Sequence, residues 1–143
     1  MRRLGSLSLQ DWRLLFRITG ILVISPPLLR WLPLPRAMEL LDPGLGPASG
    51  SASAFRAIEL TRRLLRLNTA IFRENCLKQS LVLFRLLRQS GIPVVIRFGV
   101  AREGEDIAGH SWLEQSGRLI AERGNPYQSY AVIYSYPCGA DRR

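Results

Sequence analysis

Two residues in the chain have the chemistry of a nucleophile and its base. One is Cys76, in "RENCLKQSLVLFRLLRQSGIP"; the other is His110, the single histidine, in "EDIAGHSWLEQSGRLIAE". A thiol attacks as its thiolate, so a nucleophilic cysteine needs a device that ionises it. The pattern offers two. The first turn of a helix presents unpaired backbone N–H groups and partial positive charge, and an imidazolium pairs with the sulfur. The imidazole in turn needs an acid that fixes its tautomer, the third member of a triad. Glu122 lies 12 positions after His110. If His110 begins one strand and Glu122 ends the next, with the turn at Ser116-Gly117, the two face each other across neighbouring strands. Glu114, the competing acid, shares a strand face with His110 but lies roughly 13 Å away at the usual strand rise, so Glu122 is preferred. The backbone N–H of Cys76 is a candidate oxyanion donor.

These side chains need a scaffold, and the composition supports one. The 143 residues are 47% hydrophobic and 22% charged, as in an ordinary globular domain with its own core. Cys76 and Cys138 lie far apart, with no CxxC spacing, and suggest neither a disulfide framework nor a metal site. No Gly-rich phosphate loop is present, and no cofactor is expected. The net charge of +9 is concentrated in residues 1–73, which carry +7 of it. That balance suits an acidic peptide, a nucleic acid or an anionic membrane, but no helix-turn-helix spacing, zinc pattern or aromatic-interleaved basic patch supports nucleic-acid binding.

The apolar run Ile18–Leu29 is only about 12 residues, below the roughly 18–20 of a spanning helix, and lacks a signal-peptide cleavage pattern. It reads as buried helix, with peripheral membrane contact as the minority reading. "LSLQDWRLLFRITGILVI" spaces its apolar residues as a helix, with Ser8 or Asp11 to cap it and Pro26-Pro27 to close it. A short irregular helix follows in "LLRWLPLPRAMELL". Residues 1–41 thus form an N-terminal helical extension, 42–53 a Gly/Pro/Ser linker, and 54–143 the main domain.

That domain opens on an amphipathic basic helix, with Phe55, Ile58 and Leu65 on one side and Arg62, Arg63 and Arg66 on the other. The helix from Cys76 to Gln89 has Asn75 as its expected N-cap and Gly91 at its C-terminal left-handed position. The period then changes to two. "PVVIRFGVA", "HSWLEQ" and "RLIAE", separated by turns at "GEDIAG" and "SG", read as a small antiparallel meander, and "YAVIYSY" as one more strand. Helices followed by strands give an α+β class. Taken singly, Cys76 reads more readily as a small buried hydrophobe than as a nucleophile, His110 as a surface or satisfied core residue, Trp112 as core on the His110 face, and Ser80 as a cap or packing.

Together, "CLKQSLVLFRLLRQSGIPVVIRFGV" and "IAGHSWLEQSGRLIAE" resemble the transglutaminase-like cysteine proteases that remove the leader from lasso-peptide precursors, over residues 56–135. In that family a cysteine opens a C-L-x-x-S-L-x-L helix and an H-A-W-V-E strand follows. Here Ser111 stands for the usual alanine, Gln115-Ser116-Gly117 for an acidic turn, and Glu122 for the usual aspartate. The resemblance implies a papain-like fold with the cysteine helix packed on a small antiparallel sheet. It also implies Cys76 as nucleophile, His110 as general base and acid, and Glu122 as orienting acid. The implied reaction is hydrolysis at the leader–core junction in the cytoplasm, alongside a small leader-recognition protein and a separate asparagine-synthetase-like cyclase. The basic helix would dock the leader and its recognition protein. An inert peptide-binding scaffold and a transglutaminase-type acyltransferase are the alternatives.

Overall fold

The computed structural model describes residues 8–48, 50–66 and 76–138. Helix α1 (Leu9–Trp31) starts at a capping box: the Asp11 N–H donates to Ser8 Oγ at 3.3 Å, and Asp11 Oδ2 accepts from the Ser8 N–H at 2.9 Å. Asp11 also accepts two bonds from the Arg56 guanidinium, which ties α1 to α3 (Ser51–Leu65). That pairing, with the Ser8 N–H, holds the Asp11 carboxyl down at about 2.

Contrary to expectation, Pro26-Pro27 does not close α1. The helix runs through both prolines to Trp31, 23 residues in all. Each proline deletes one backbone donor, and tertiary packing makes up the loss: Ile18, Ile21, Leu22 and Ser25 on one face of α1 are buried, and Ser25 Oγ donates back to the Ile21 carbonyl. The expected 12-residue limit on the apolar stretch is corrected with it, since α1 is long and apolar enough to cross a membrane by length and composition, a test that the core helix of a soluble protein also passes.

Helix α2 (Leu34–Leu41) follows, and α3 begins at Ser51, so the last three residues of the expected linker are helical. The linker is bound rather than loose. Arg88 pairs with Asp42 at 2.7 Å, Arg85 donates to the Leu41 carbonyl at 2.8 Å, and the Gly46 N–H donates to the Arg88 carbonyl at 2.8 Å. Helix α4 (Cys76–Gln89) ends as its sequence suggests, in a Schellman turn: the Gly91 N–H bonds to the Arg88 carbonyl and the Ile92 N–H to the Leu87 carbonyl, with Gly91 at φ +79°. The expected N-cap, Asn75, lies outside the described residues.

Strands β1 (Val95–Glu103), β2 (Asp106–Gln115), β3 (Arg118–Ile120) and β4 (Ala131–Tyr136) form one antiparallel sheet in the order β3-β2-β1-β4. The first three are the expected meander; β4 instead crosses to the other edge and pairs with β1. Helix α4 is buried on two sides. Leu81, Leu83, Phe84 and Leu87 pack on Val94, Ile96, Phe98 and Leu113 of the sheet side, together with Met38 and Leu41 of α2. Val82 and Leu86 pack on Ile18, Ile21 and Leu22 of α1 and on Ala57, Leu60 and Leu65 of α3. Burial of each such Leu or Phe contributes about 1.5–3 kcal/mol, so the helix that opens on Cys76 is held in place by both halves of the chain. Within α3 the expected placement of Phe55 on the buried face is corrected: Ala54, Ala57 and Leu65 are buried, and Phe55 is 71% exposed.

Candidate active site

Strand β2 starts at Asp106, so the turn is confined to Gly104-Glu105 and His110 sits in mid-strand opposite Gly99 rather than at a strand start. Its imidazole is sandwiched. Trp112 stacks on it with centroids 5.8 Å apart, and Tyr130 approaches at 5.0 Å. Trp112 is 1% exposed and its indole N–H donates to Glu114 Oε1 at 3.1 Å. Glu114, the acid set aside above, is a buried hub. It accepts also from the Tyr127 hydroxyl and pairs with Arg97 at 3.2 Å. Burial, reinforced by the Glu114 carboxylate, raises the pKa of the Tyr127 hydroxyl.

Gly99 makes the sandwich possible. A Cβ there would lie 2.8 Å from the Trp112 ring and 3.0 Å from Tyr130, and the β1–β4 register shifts between Phe98 and Gly99. A glycine inside a strand pattern signals such a close approach, and "RFGVA" carried that signal; Tyr130 carried none.

Glu122 is the acid that meets His110: Nε2 and Oε2 are 3.2 Å apart, both side chains 20% exposed. Since a carboxylate only accepts, Nε2 carries the proton in this pair, and Nδ1 is left as the ring's acceptor. The β2–β3 pairing ends at Leu113↔Ile120, and Ala121 then takes φ +59°, a left-handed conformation that is uncommon for alanine. Two side chains hold that turn. Arg62 Nη2 donates to the Ala121 carbonyl at 2.9 Å, and Gln79 Nε2 at 3.3 Å. The Arg123 N–H donates to Glu122 Oε1 at 3.2 Å. Arg62, Gln79 and Ala121 were not singled out for this from sequence, because their roles run through a backbone carbonyl.

Cys76 is the first described residue of α4, is half-buried, and is a free thiol, as is the exposed Cys138. It lines one cavity of about 180 Å³ together with His110, Glu122, Gln79, Ser80 and Trp112. Ser80, one turn on, packs as expected: its hydroxyl donates to the Ser111 carbonyl at 2.9 Å and pins α4 to β2 beside His110. Arg62, Arg66 and Arg123 also line the cavity and give it a basic rim. Among the described residues no group of three His, Cys, Asp or Glu could hold a metal ion.

A model of the transglutaminase-like superfamily matches residues 22–135. The chain belongs to the transglutaminase-like superfamily. This superfamily includes cysteine proteases and acyltransferases, and its α+β architecture is the one seen here, four helices with a small antiparallel four-stranded sheet. The matched span begins inside α1 and takes in α2, so in this transglutaminase-like chain the family domain extends into the N-terminal helices. No curated protein and no solved structure matches the chain significantly.

Proposed function

We propose that this protein is a cysteine peptidase in which Cys76 is the nucleophile, His110 the general base and acid, and Glu122 the residue that orients the imidazole. The observation that carries the reading is the His110–Glu122 hydrogen bond at the wall of the cavity that Cys76 also lines. With Nε2 engaged by the carboxylate, Nδ1 takes the thiol proton as the sulfur adds to the scissile carbonyl. The C–N bond then breaks, the Nδ1 proton leaves on the amine, and water, deprotonated by the same nitrogen, releases the acid from the thioester. The Cys76 N–H is the candidate donor to the oxyanion.

The substrate is the leader–core junction of a ribosomally made lasso-peptide precursor. The resemblance of the Cys76 helix and the "HSWLE" strand to the leader peptidases supports this assignment. A small recognition protein grips the leader in the cytoplasm, and an asparagine-synthetase-like cyclase receives the freed core. The three arginines first assigned to leader docking divide their tasks: Arg62 is committed to the Ala121 carbonyl and Arg63 to Glu59, while Arg66 stands at the cavity rim. Incubating precursor, recognition protein and this chain, and weighing the products, tests the proposal. Wild type yields free leader and core; Cys76→Ala yields neither. Processing that survives Cys76→Ala leaves an inert scaffold, and a product mass raised by an acceptor amine identifies an acyltransferase.

A further inference from the structure

Helix α1 carries apolar side chains on both its faces, yet only one face is packed. Ile18, Ile21, Leu22 and Ser25 face the protein. On the opposite face Leu9, Trp12, Phe16, Val23, Ile24 and Trp31 are 51–85% exposed. At 100° per residue these six, with Gly20 and Pro27 between them, fall within an arc of about 120° that also takes in Arg13 near the N-terminal end and Arg30 at its edge, and they run the full length of the helix, about 34 Å. Leu40 of α2, 63% exposed, shares a groove with Ile24 and widens the stripe. Single exposed apolar side chains are ordinary; a stripe of this length, interrupted inside its arc only by Arg13, is not.

The charges beside the stripe identify its occupant. Arg13, Arg17 and Arg30 on α1 are exposed, Arg17 and Arg30 at the two edges of the stripe and Arg13 within it near the N-terminal end, and none has an acidic partner among the described residues. The helix's one acid, Asp11, is on the packed face and paired with Arg56. Trp12 and Trp31 stand near the two ends, as aromatic side chains do at a membrane–water interface. We propose that α1 lies in the plane of an anionic lipid bilayer, with the Trp12–Phe16–Ile24–Trp31 stripe in the acyl boundary and the three arginines at headgroup phosphates. The packed face excludes a spanning orientation for the folded chain, since Ile18, Ile21 and Leu22 are shared with α3 and α4. This inference does not rest on the peptidase reading.

The test is co-sedimentation of the full chain with vesicles of phosphatidylcholine alone and of phosphatidylcholine with 30% phosphatidylglycerol. Wild type and Cys76→Ala alike are expected to bind the anionic vesicles at least tenfold more tightly than the neutral ones, and to lose that preference in high salt. Replacing Arg13, Arg17 and Arg30 by Gln is expected to weaken binding about 100-fold, at about a factor of five per arginine. Phe16→Asp with Ile24→Asp, both at exposed positions, is expected to weaken it at least tenfold with an unchanged circular dichroism spectrum; should that variant unfold, the arginine variant decides. Equal binding by wild type and the arginine variant overturns the proposal. So does a wild-type dimer that ignores vesicles and is dissociated by Phe16→Asp/Ile24→Asp, which would assign the stripe to a second copy of the chain.

Discussion

Glu122 holds the third role in the proposed site, and replacing it separates orientation from charge. In Glu122→Gln the amide oxygen still accepts from Nε2–H, so the ring keeps its place between Trp112 and Tyr130 while the negative charge beside the developing imidazolium is lost. A hydrogen bond to a charged group is worth about 1.5–3 kcal/mol and a neutral one about 0.5–1.5. With both partners one-fifth exposed, solvent weakens the pair, and the difference comes to about 1–2 kcal/mol, or roughly 5–30-fold in kcat/KM. In Glu122→Ala the orienting bond goes as well, and the loss rises to roughly 100-fold or more. Precursor cleavage followed by mass spectrometry, with melting temperatures as the control for folding, reads both numbers. Equal activity in wild type and Glu122→Ala at unchanged stability would show that the 3.2 Å contact has no part in the chemistry and refute the triad.

Three further perturbations probe the scaffold. Gly99→Ala forces the Trp112 ring and Tyr130 away from a Cβ that would lie within 2.8–3.0 Å of them; cleavage should fall at least tenfold, while Gly109→Ala, with open space around it, leaves it unchanged. Gly91→Ala places a Cβ 2.7 Å from the Ala48 backbone at φ +79°, and chemical denaturation should show a loss of about 1–3 kcal/mol. The Asp11 carboxyl, held down to about 2 chiefly by Arg56, adds stability that is complete above its unfolded value near 4 and is lost as the pH falls toward 2. Asp11→Asn should therefore lower the melting temperature at pH 6 and converge with wild type below pH 2.

Much of the fold was legible because local signals agreed with tertiary packing. The Gly91 stop, Ser8 as one of the two candidate caps, and the change of period after Pro93 all recur in the structure. The Pro26-Pro27 stop failed because the packed face of α1 outweighs two missing donors, a tertiary effect with no sequence period of its own. Position β4 in the sheet was hidden for the same reason, since strand order depends on partners. At the site, His110 and Glu122 meet as expected but not by the expected route: Glu122 does not end a strand facing His110, but lies beyond β3 and reaches the imidazole past the turn at Ala121. Ala121's left-handed turn and its clamp by Arg62 and Gln79 were not readable, because the groups they satisfy are backbone atoms.

Covalent labelling addresses the nucleophile itself. In a Cys138→Ser background, a peptide aldehyde or vinyl sulfone built on the precursor's cleavage site is weighed on the intact protein and mapped by proteolysis. One adduct on Cys76, formed at least 100-fold more slowly in His110→Ala of unchanged stability, is the expected result. A Cys76 that stays unmodified, or that reacts at the same rate without His110, would contradict a thiol activated by this imidazole.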